Sequence, residues 1–109
     1  GRLLLQPGLL LIMHQGPAHG YELMERLKEF GMDDIDPSLI YRALHGLEAD
    51  GLISSSWEEK ESQGPPRRVY HLTPDGQEML DHYVDEMKSI RQRIDTWIQA
   101  YERHVKTGE

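Results

Sequence analysis

PSLIYRALHGLEADGLI, residues 37–53, is the stretch that decides the fold, because a helical pattern ends within it and a strand pattern begins. Asp36 suits the N-cap position before it, and Pro37 suits the first position of a helix. Gly51 suits the position just after a helix ends. Beyond it the apolar residues change from helical to alternating spacing. We therefore predict a helix to about Asp50, followed directly by a β-strand.

The predicted helix has two chemically different faces. One narrow stripe is apolar and consists of Ile40, Leu44 and Leu47. The opposite side carries Ser38, Arg42, His45 and Ala49, with Tyr41 beside them. A hydroxyl, a guanidinium and an imidazole can read base edges, and Arg42 could pair bidentately with guanine. The alternative is an ordinary solvated face on which Arg42 makes a surface salt bridge.

Two helices are expected before this stretch. Apolar residues over 3–13 predict the first helix, in which Pro7 is tolerable only in the first turn or at a break. Apolar residues at three- and four-residue spacings over 19–30 predict a second amphipathic helix, which Gly31 ends.

A hairpin and a last helix are expected after it. Alternating, β-branched and aromatic residues over 52–59 and 69–72 predict two strands joined by a long loop. Thr73 can cap a final helix whose first turn accepts Pro74. Gly76 stands where the glutamate of a capping box would be expected.

The hairpin loop contains GPPRR, residues 64–68, although the chain has a formal net charge of −7. Its two prolines restrict the backbone and are expected to hold Arg67 and Arg68 near one orientation, beside a DNA backbone. Gln63 in the same loop is a further candidate for a DNA contact. In the alternative, the arginines pair weakly with carboxylates across the hairpin, at Glu58, Glu59 or Glu61.

Composition limits the classes of protein that fit. A chain of 109 residues, 38% hydrophobic and 28% charged, is expected to form one small unit. The acidic balance disfavours coating of nucleic acid by bulk charge, so contact with a polyanion should be confined to one face. The absence of cysteine excludes disulfides and thiolate metal sites and fits the cytoplasm. The apolar run over 9–13 is too short to span a membrane.

The final helix, from Pro74 to about Lys106, could reach ~50 Å and needs a second surface to cover its far half. Its apolar residues repeat at a spacing near 3.5, as helix–helix association requires. We predict a two-fold dimer in which this helix meets the same helix, or the first helix, of a second subunit. The alternative is that it folds back onto its own chain. The predicted interface comprises Val84, Met87, Ile90, Ile94, Trp97, Ile98 and Tyr101.

Trp97 has two interpretations. An aromatic side chain on a dimer-forming helix most simply belongs to the interface core. Two symmetry-related indoles near a two-fold axis could also hold a planar compound between them. In that case Ile94, Tyr101 and Met13 of the first helix would line the same effector site.

Three segments together resemble the PadR family of transcriptional regulators: HGYELMERL, PSLIYRALHGLEADGLI and GPPRRVYHLTPDG. The resemblance covers residues from about Leu9 to Met79. The single-helix tail is similar to the smaller size class of that family.

The resemblance implies a mainly α fold with a small β-hairpin, a winged helix-turn-helix over residues 1–73 and a C-terminal dimerisation helix over 74–109, packed with the first helix. It implies a dimeric DNA-binding repressor whose third helix enters the major groove, whose wing touches the backbone, and which small aromatic or hydrophobic molecules release. Leu39 departs from the family, where Thr or Ser is frequent, although it too is expected at the DNA. The DNA-contacting set is then Ser38, Leu39, Tyr41, Arg42, His45, Gln63, Arg67 and Arg68.

An enzyme is not indicated. The six histidines are scattered, with no HExxH and no repeated metal-ligand spacing, and no phosphate-binding glycine loop occurs. No catalytic residue, metal or cofactor is expected. The alternative function is a winged-helix module that docks another protein without binding DNA. A basic face at Arg42, Arg67 and Arg68 favours the repressor, and internal neutralisation of that face favours the docking module.

Overall fold

The computed structural model describes residues 4–58 and 64–107, and its architecture is the predicted winged helix-turn-helix with a long C-terminal helix. Three short helices and a small antiparallel sheet precede that helix. In chain order the elements are α1 (Leu5–His14), β1 (Ala18–His19), α2 (Gly20–Glu29), α3 (Pro37–Ala49), β2 (Ile53–Glu58), β3 (Arg67–Leu72) and α4 (Pro74–Thr107).

Helix α1 lies at the centre of the hydrophobic core. Leu9, Leu10 and Ile12 have no exposed surface, and burial of each side chain contributes roughly 1.5–3 kcal/mol. Pro7 lies in the first turn of α1, as the sequence requires. The apolar stripe of α3 is buried in the same core, which confirms the predicted orientation of this helix: Ile40, Leu44 and Leu47.

Local hydrogen bonds mark the ends of α3. The Asp36 carboxylate accepts a hydrogen bond from the Ser38 backbone N–H at 2.9 Å, which lowers the pKa of Asp36. At the other end Gly51 takes a φ of +75°, and the Leu52 N–H donates to the Leu47 carbonyl at 2.9 Å. These contacts turn the chain directly from α3 into β2.

The sheet has three strands in the order β1-β3-β2, so the expectation of a two-stranded hairpin is incomplete. Ala18 of β1 pairs with Tyr70, and His19 pairs with Val69. A two-residue strand is too short to show alternation, and its hydrogen-bonding partner lies about fifty residues later in the chain.

Strand β3 begins at Arg67 rather than at Val69, which corrects the predicted boundary. Arg67 lies opposite Glu58, and Arg68 lies opposite Trp57. The two arginines are therefore strand residues, and pairing with β2 fixes their backbone in addition to the prolines before them.

Helix α4 packs on α1 only through its first turns. The His14 Nδ1 and Gln77 Oε1 atoms are 2.7 Å apart, and the Tyr83 hydroxyl donates to Gln6 Oε1 at 3.4 Å. From residue 88 to residue 107 every side chain is exposed, so α4 does not fold back. The chain is consequently elongated, with dimensions of 68 × 27 × 21 Å.

In residues 4–58 and 64–107, no helix combines the length and the apolar character needed to cross a membrane.

Candidate nucleic-acid interface

The polar face of α3 is open to solvent. Ser38, Arg42 and His45 are exposed, while Leu39 is half-buried. Among the described residues, no carboxylate lies within 4.0 Å of the Arg42 guanidinium. Arg42 thus forms no ion pair among these residues, although its charge adds to the larger effect of the Ser38 N–H in lowering the pKa of Asp36. Its guanidinium lies beside short polar side chains, an arrangement suited to reading base edges.

Tyr41 lies where α3 approaches the first residue of α2. Its ring packs over Gly20 so closely that a Cβ atom there would lie 2.8 Å from the Tyr41 hydroxyl oxygen. The Tyr41 side chain is nevertheless 47% exposed. The predicted DNA-contacting tyrosine therefore also holds the start of α2 against α3.

A cleft of about 290 Å³ lies between the start of α2, Tyr41 of α3 and strand β3 of the wing, which is the hairpin of β2 and β3. Arg67 enters it from β3, and its charge helps to lower the pKa of Glu22, after the larger effect of hydrogen bonds from His19. No described carboxylate lies within 4.0 Å of the Arg67 guanidinium. The residues lining the cleft are His19, Gly20, Tyr21, Tyr41, Arg67, Arg68 and Tyr70.

Arg68 differs from Arg67, because the protein itself already binds its guanidinium. Nη2 lies 3.4 Å from Glu48 Oε1, and Nε donates to the Ser55 hydroxyl at 2.9 Å. The Ser55 hydroxyl donates to Glu48 Oε2 at 2.7 Å, and the guanidinium carbon lies 5.6 Å from the centre of the Trp57 ring. Among the described residues, Arg68 therefore pairs with Glu48 of α3 and not with Glu58, the one expected partner that the structure describes.

His19 connects the wing to α2. Its Nδ1 contacts the Glu22 carboxylate, and its Nε2 lies 2.7 Å from Glu58 Oε2. These two hydrogen bonds raise the pKa of His19, Glu22 having the larger effect. His19 therefore joins the carboxylates of Glu22 and Glu58. No group of three metal-ligating side chains occurs in the described parts of the chain.

The predicted effector residues do not meet within one chain. Ile94, Trp97 and Tyr101 are exposed on the far half of α4, and Trp97 is 73% exposed. Met13 is buried in the core, next to the helix end that contacts Gln77. Twenty residues of α4 separate Gln77 from Trp97, or about 30 Å at 1.5 Å per residue. Trp97 therefore lies far from α1 of its own chain. It could approach an α1 surface only if that surface belonged to a second chain.

Some residues of the predicted site fall outside the described part of the chain, and some neighbours of Arg68 were not predicted. Gln63, Glu59 and Glu61 lie outside the described residues. Sequence reasoning missed Glu48, Ser55 and Trp57 as neighbours of Arg68. Alternation along β2 places Ser55 and Trp57 on one face. Their proximity to Arg68 and Glu48, however, follows only from the strand register.

Comparison with known proteins gives a consistent result. Residues 9–82 match the Transcriptional regulator PadR-like family. Transcriptional regulator Rv3488 of Mycobacterium tuberculosis (strain ATCC 25618 / H37Rv) is 42% identical over 62 residues, which are 57% of this chain and 55% of that protein. A 37.1 kDa protein of transposon TN4556 in Streptomyces fradiae is 31% identical over 86 residues, which are 79% of this chain and 24% of that protein. The chain therefore spans about half the length of one curated relative and about a quarter of the other.

Solved structures share the fold over most of the chain. The PadR-like transcriptional regulator BC4206 from Bacillus cereus strain ATCC 14579 has a TM-score of 0.80 and 26% identity, covering 90% of this chain and 94% of that one. TM0937, a conserved protein of unknown function and potential transcriptional factor, has a TM-score of 0.83 and 33% identity, covering 95% of this chain and 92% of that one.

Proposed function

The chain belongs to the PadR-like family of transcriptional regulators, and from this premise we propose a homodimeric repressor that binds a double-stranded DNA operator. Family members are transcriptional regulators rather than enzymes. In the proposal, α3 enters the major groove, the wing contacts the flanking backbone, and a small hydrophobic or aromatic effector releases the protein. Such a repressor acts in the cytoplasm. The observation that carries the proposal is the open polar face of α3 beside a cleft entered by arginines.

Local charge supports DNA binding despite the acidic composition. The net charge is −7, yet Arg42 and Arg67 stand within the described structure without a carboxylate inside 4.0 Å. A duplex carries one negative charge per ~1.7 Å along its axis, so a few placed cations suffice to orient the protein on it. Of the three arginines on this face, Arg68 is paired with Glu48, whereas Arg42 and Arg67 have no such pair in the described structure, so the neutralisation that the docking-module alternative requires is only partial.

Arg42→Ala and Arg67→Ala are expected to weaken DNA binding in different ways, because base contacts specify sequence while phosphate contacts position the protein. Arg42→Ala should cost roughly 1–3 kcal/mol on the best operator and flatten discrimination at one or two base positions. Arg67→Ala should weaken binding about equally on all sequences. It should also reduce the slope of the logarithm of affinity against the logarithm of salt concentration by about one unit. The measurement is affinity against salt concentration on a duplex from the upstream region of the gene and on a scrambled duplex.

Lys28→Ala is the matched control, because Lys28 is a basic residue of α2 whose Nζ lies 3.2 Å from Glu25. It should leave both affinities close to those of the wild type. Absence of binding to either duplex by the wild-type protein would contradict the repressor and favour the protein-docking module.

The far half of α4 supports the homodimer. Ile90, Ile94 and Ile98 are between 47% and 49% exposed in the single chain, and they continue into Trp97 and Tyr101 on the same face. An exposed apolar stripe of this length marks an interaction site. A second copy of α4 is the partner with a matching repeat.

Charge along α4 fits an antiparallel partner. Residues 74–87 contain five acidic residues and no lysine or arginine, whereas residues 88–107 contain five lysines or arginines and two acidic residues. An antiparallel copy places the acidic part of one helix beside the basic part of the other. This arrangement is electrostatically favourable and determines the register.

An apolar groove of about 210 Å³ extends the same surface onto the body of the chain. It lies between α1, the end of α2 and the middle of α4, where Val84 and Met87 are half-buried. In the proposed dimer the partner's α4 covers it. The groove is lined by Leu4, Pro7, Gly8, Leu11, Phe30, Met32, Leu80, Val84 and Met87.

The effector part of the proposal depends on this dimer. Trp97 is a large planar side chain on the proposed interface, and in the antiparallel register it would lie beside the acidic first half of the partner's α4 rather than beside the other Trp97. A planar apolar compound could stack on each Trp97 at that place, with Ile94 and Tyr101 of the same helix beside it. Since Met13 is buried, the α1 contribution would come from the exposed surface of that helix instead.

Trp97→Ala should abolish two effects of planar apolar compounds, namely quenching of tryptophan fluorescence and weakening of DNA binding. The variant should remain folded, because Trp97 does not belong to the core of the single chain, and it should remain a dimer, because Ile90, Ile94 and Ile98 stay in the proposed interface. Trp57→Phe is the control, since Trp57 is the other tryptophan and lies in β2. Quenching that persists in Trp97→Ala and vanishes in Trp57→Phe would place the site elsewhere.

A further inference from the structure

The two arginines of the wing have unequal freedom to bind a phosphate. Arg67 has no carboxylate within 4.0 Å among the described residues, whereas the Arg68 guanidinium contacts Glu48, Ser55 and the Trp57 ring. Both line the cleft between α3 and the wing. If α3 enters a groove and the wing flanks it, the sugar-phosphate chain at the groove edge must pass this cleft.

Glu48 engages the guanidinium and hydroxyl donors that a phosphate would need in order to bind at Arg68. One carboxylate oxygen faces Arg68 Nη2 at 3.4 Å, and the other accepts the Ser55 hydroxyl at 2.7 Å. A phosphate offers the same charge and the same acceptor geometry to a guanidinium. Glu48 and a phosphate therefore cannot both use these donors fully.

The contact between Glu48 and Arg68 is weak enough to be exchanged. The Arg68 side chain is 46% exposed and the Glu48 side chain is 34% exposed, so solvent screens the pair. The Trp57 ring, 5.6 Å away, and the Ser55 hydroxyl also contact the guanidinium, and neither contact requires the Glu48 charge. Arg68 thus remains near the cleft when the carboxylate is removed.

We propose that Glu48 is an internal competitor of DNA phosphate for Arg68, and that it lowers the affinity of the protein for every duplex regardless of sequence. The inference rests on the proposed DNA-binding function. As a consequence, occupancy of the operator depends more strongly on base contacts by α3. The phosphate contact of Arg68 contributes less, because it forms only when the contact between Arg68 and Glu48 is broken.

Glu48→Gln is the direct test, since the amide keeps the size and a hydrogen-bond acceptor for Ser55 but loses the charge. Affinity should increase by about two- to fivefold, the range expected for an exposed ion pair, on both an upstream-region duplex and a scrambled duplex. In the Arg68→Ala background the same substitution should leave the affinity unchanged. A double-mutant cycle of the two substitutions measures this coupling. Glu25→Gln on α2 is the matched control, with an equal charge change at a carboxylate that pairs with Lys28.

The outcomes separate the two proposals. If the wild type binds neither duplex, the proposed DNA-binding function fails and the inference fails with it. If the wild type binds, weaker binding by Glu48→Gln would show that Glu48 positions Arg68 rather than competing for it. An equal increase of affinity in Glu25→Gln would show that the change of net charge alone strengthens binding. An increase that persists in the Arg68→Ala background would show the same. Either of these results overturns the inference and leaves the function standing.

Discussion

Gly76→Ala is expected to destabilise the fold by about 3 kcal/mol or more. A Cβ atom at this position would lie 1.9 Å from the Leu52 carbonyl oxygen and 2.7 Å from Leu72 Cδ1. The closer of these two clashes is with a backbone atom, which a side-chain rotation cannot relieve. The start of α4 would therefore have to move away from the turn after α3. That movement would break the two hydrogen bonds that Thr73 donates to the preceding turn, from its N–H to the Leu52 carbonyl and from its hydroxyl to the Gly51 carbonyl.

Urea unfolding followed by circular dichroism measures this loss. Gly46→Ala in α3 is the matched control, because a Cβ atom there meets nothing within 4 Å. It should stabilise the helix by up to about 1 kcal/mol, the difference in helix propensity. An unchanged unfolding midpoint for Gly76→Ala would contradict the packing at the start of α4.

Ile94→Asp/Ile98→Asp is expected to convert the proposed dimer into a folded monomer. Two-fold symmetry would place four carboxylates in the seam, and each unpaired buried charge costs several kcal/mol. The dissociation constant should therefore rise by at least about a thousandfold. The two isoleucines are 48% and 49% exposed in the single chain, so the fold of each protomer should survive.

Light scattering coupled to size exclusion measures the association, and circular dichroism measures the fold. Gln92→Asp/Gln99→Asp is the matched control, because it adds the same charge on the opposite side of α4 at 100° per residue. That variant should remain dimeric. A dimer that persists in Ile94→Asp/Ile98→Asp would place the interface elsewhere, and loss of fold would indicate that α4 packs on its own chain in solution.

Much of the candidate site could be predicted from the sequence, because it depends on a single helix. The periodicity of α3 alone separates Ile40 and Leu44 from Ser38 and Arg42, and the structure places them on the expected sides. Residue identities also mark its ends, since Asp36 caps it and Gly51 takes the positive φ. These features need only contacts between residues a few positions apart.

The environment of each arginine could not be predicted in the same way. The prolines before Arg67 and Arg68 suggested two equivalent cations on a loop. The structure places both in β3, and the register with β2 brings Arg68 to Ser55 and Trp57. A shift of one residue in that register would exchange the faces of the two side chains.

The sequence by itself therefore determined the helices, the caps of α3 and α4 and the two faces of α3. It also determined the apolar stripe of α4, which no surface of the same chain covers. Only the tertiary structure decided that β1 joins the sheet, that Glu48 holds Arg68, and that Gly76 must lack a side chain. The physical reason is the range of the interactions. Periodicity and capping act between neighbours in the chain, whereas strand register and backbone approach depend on how distant segments pack.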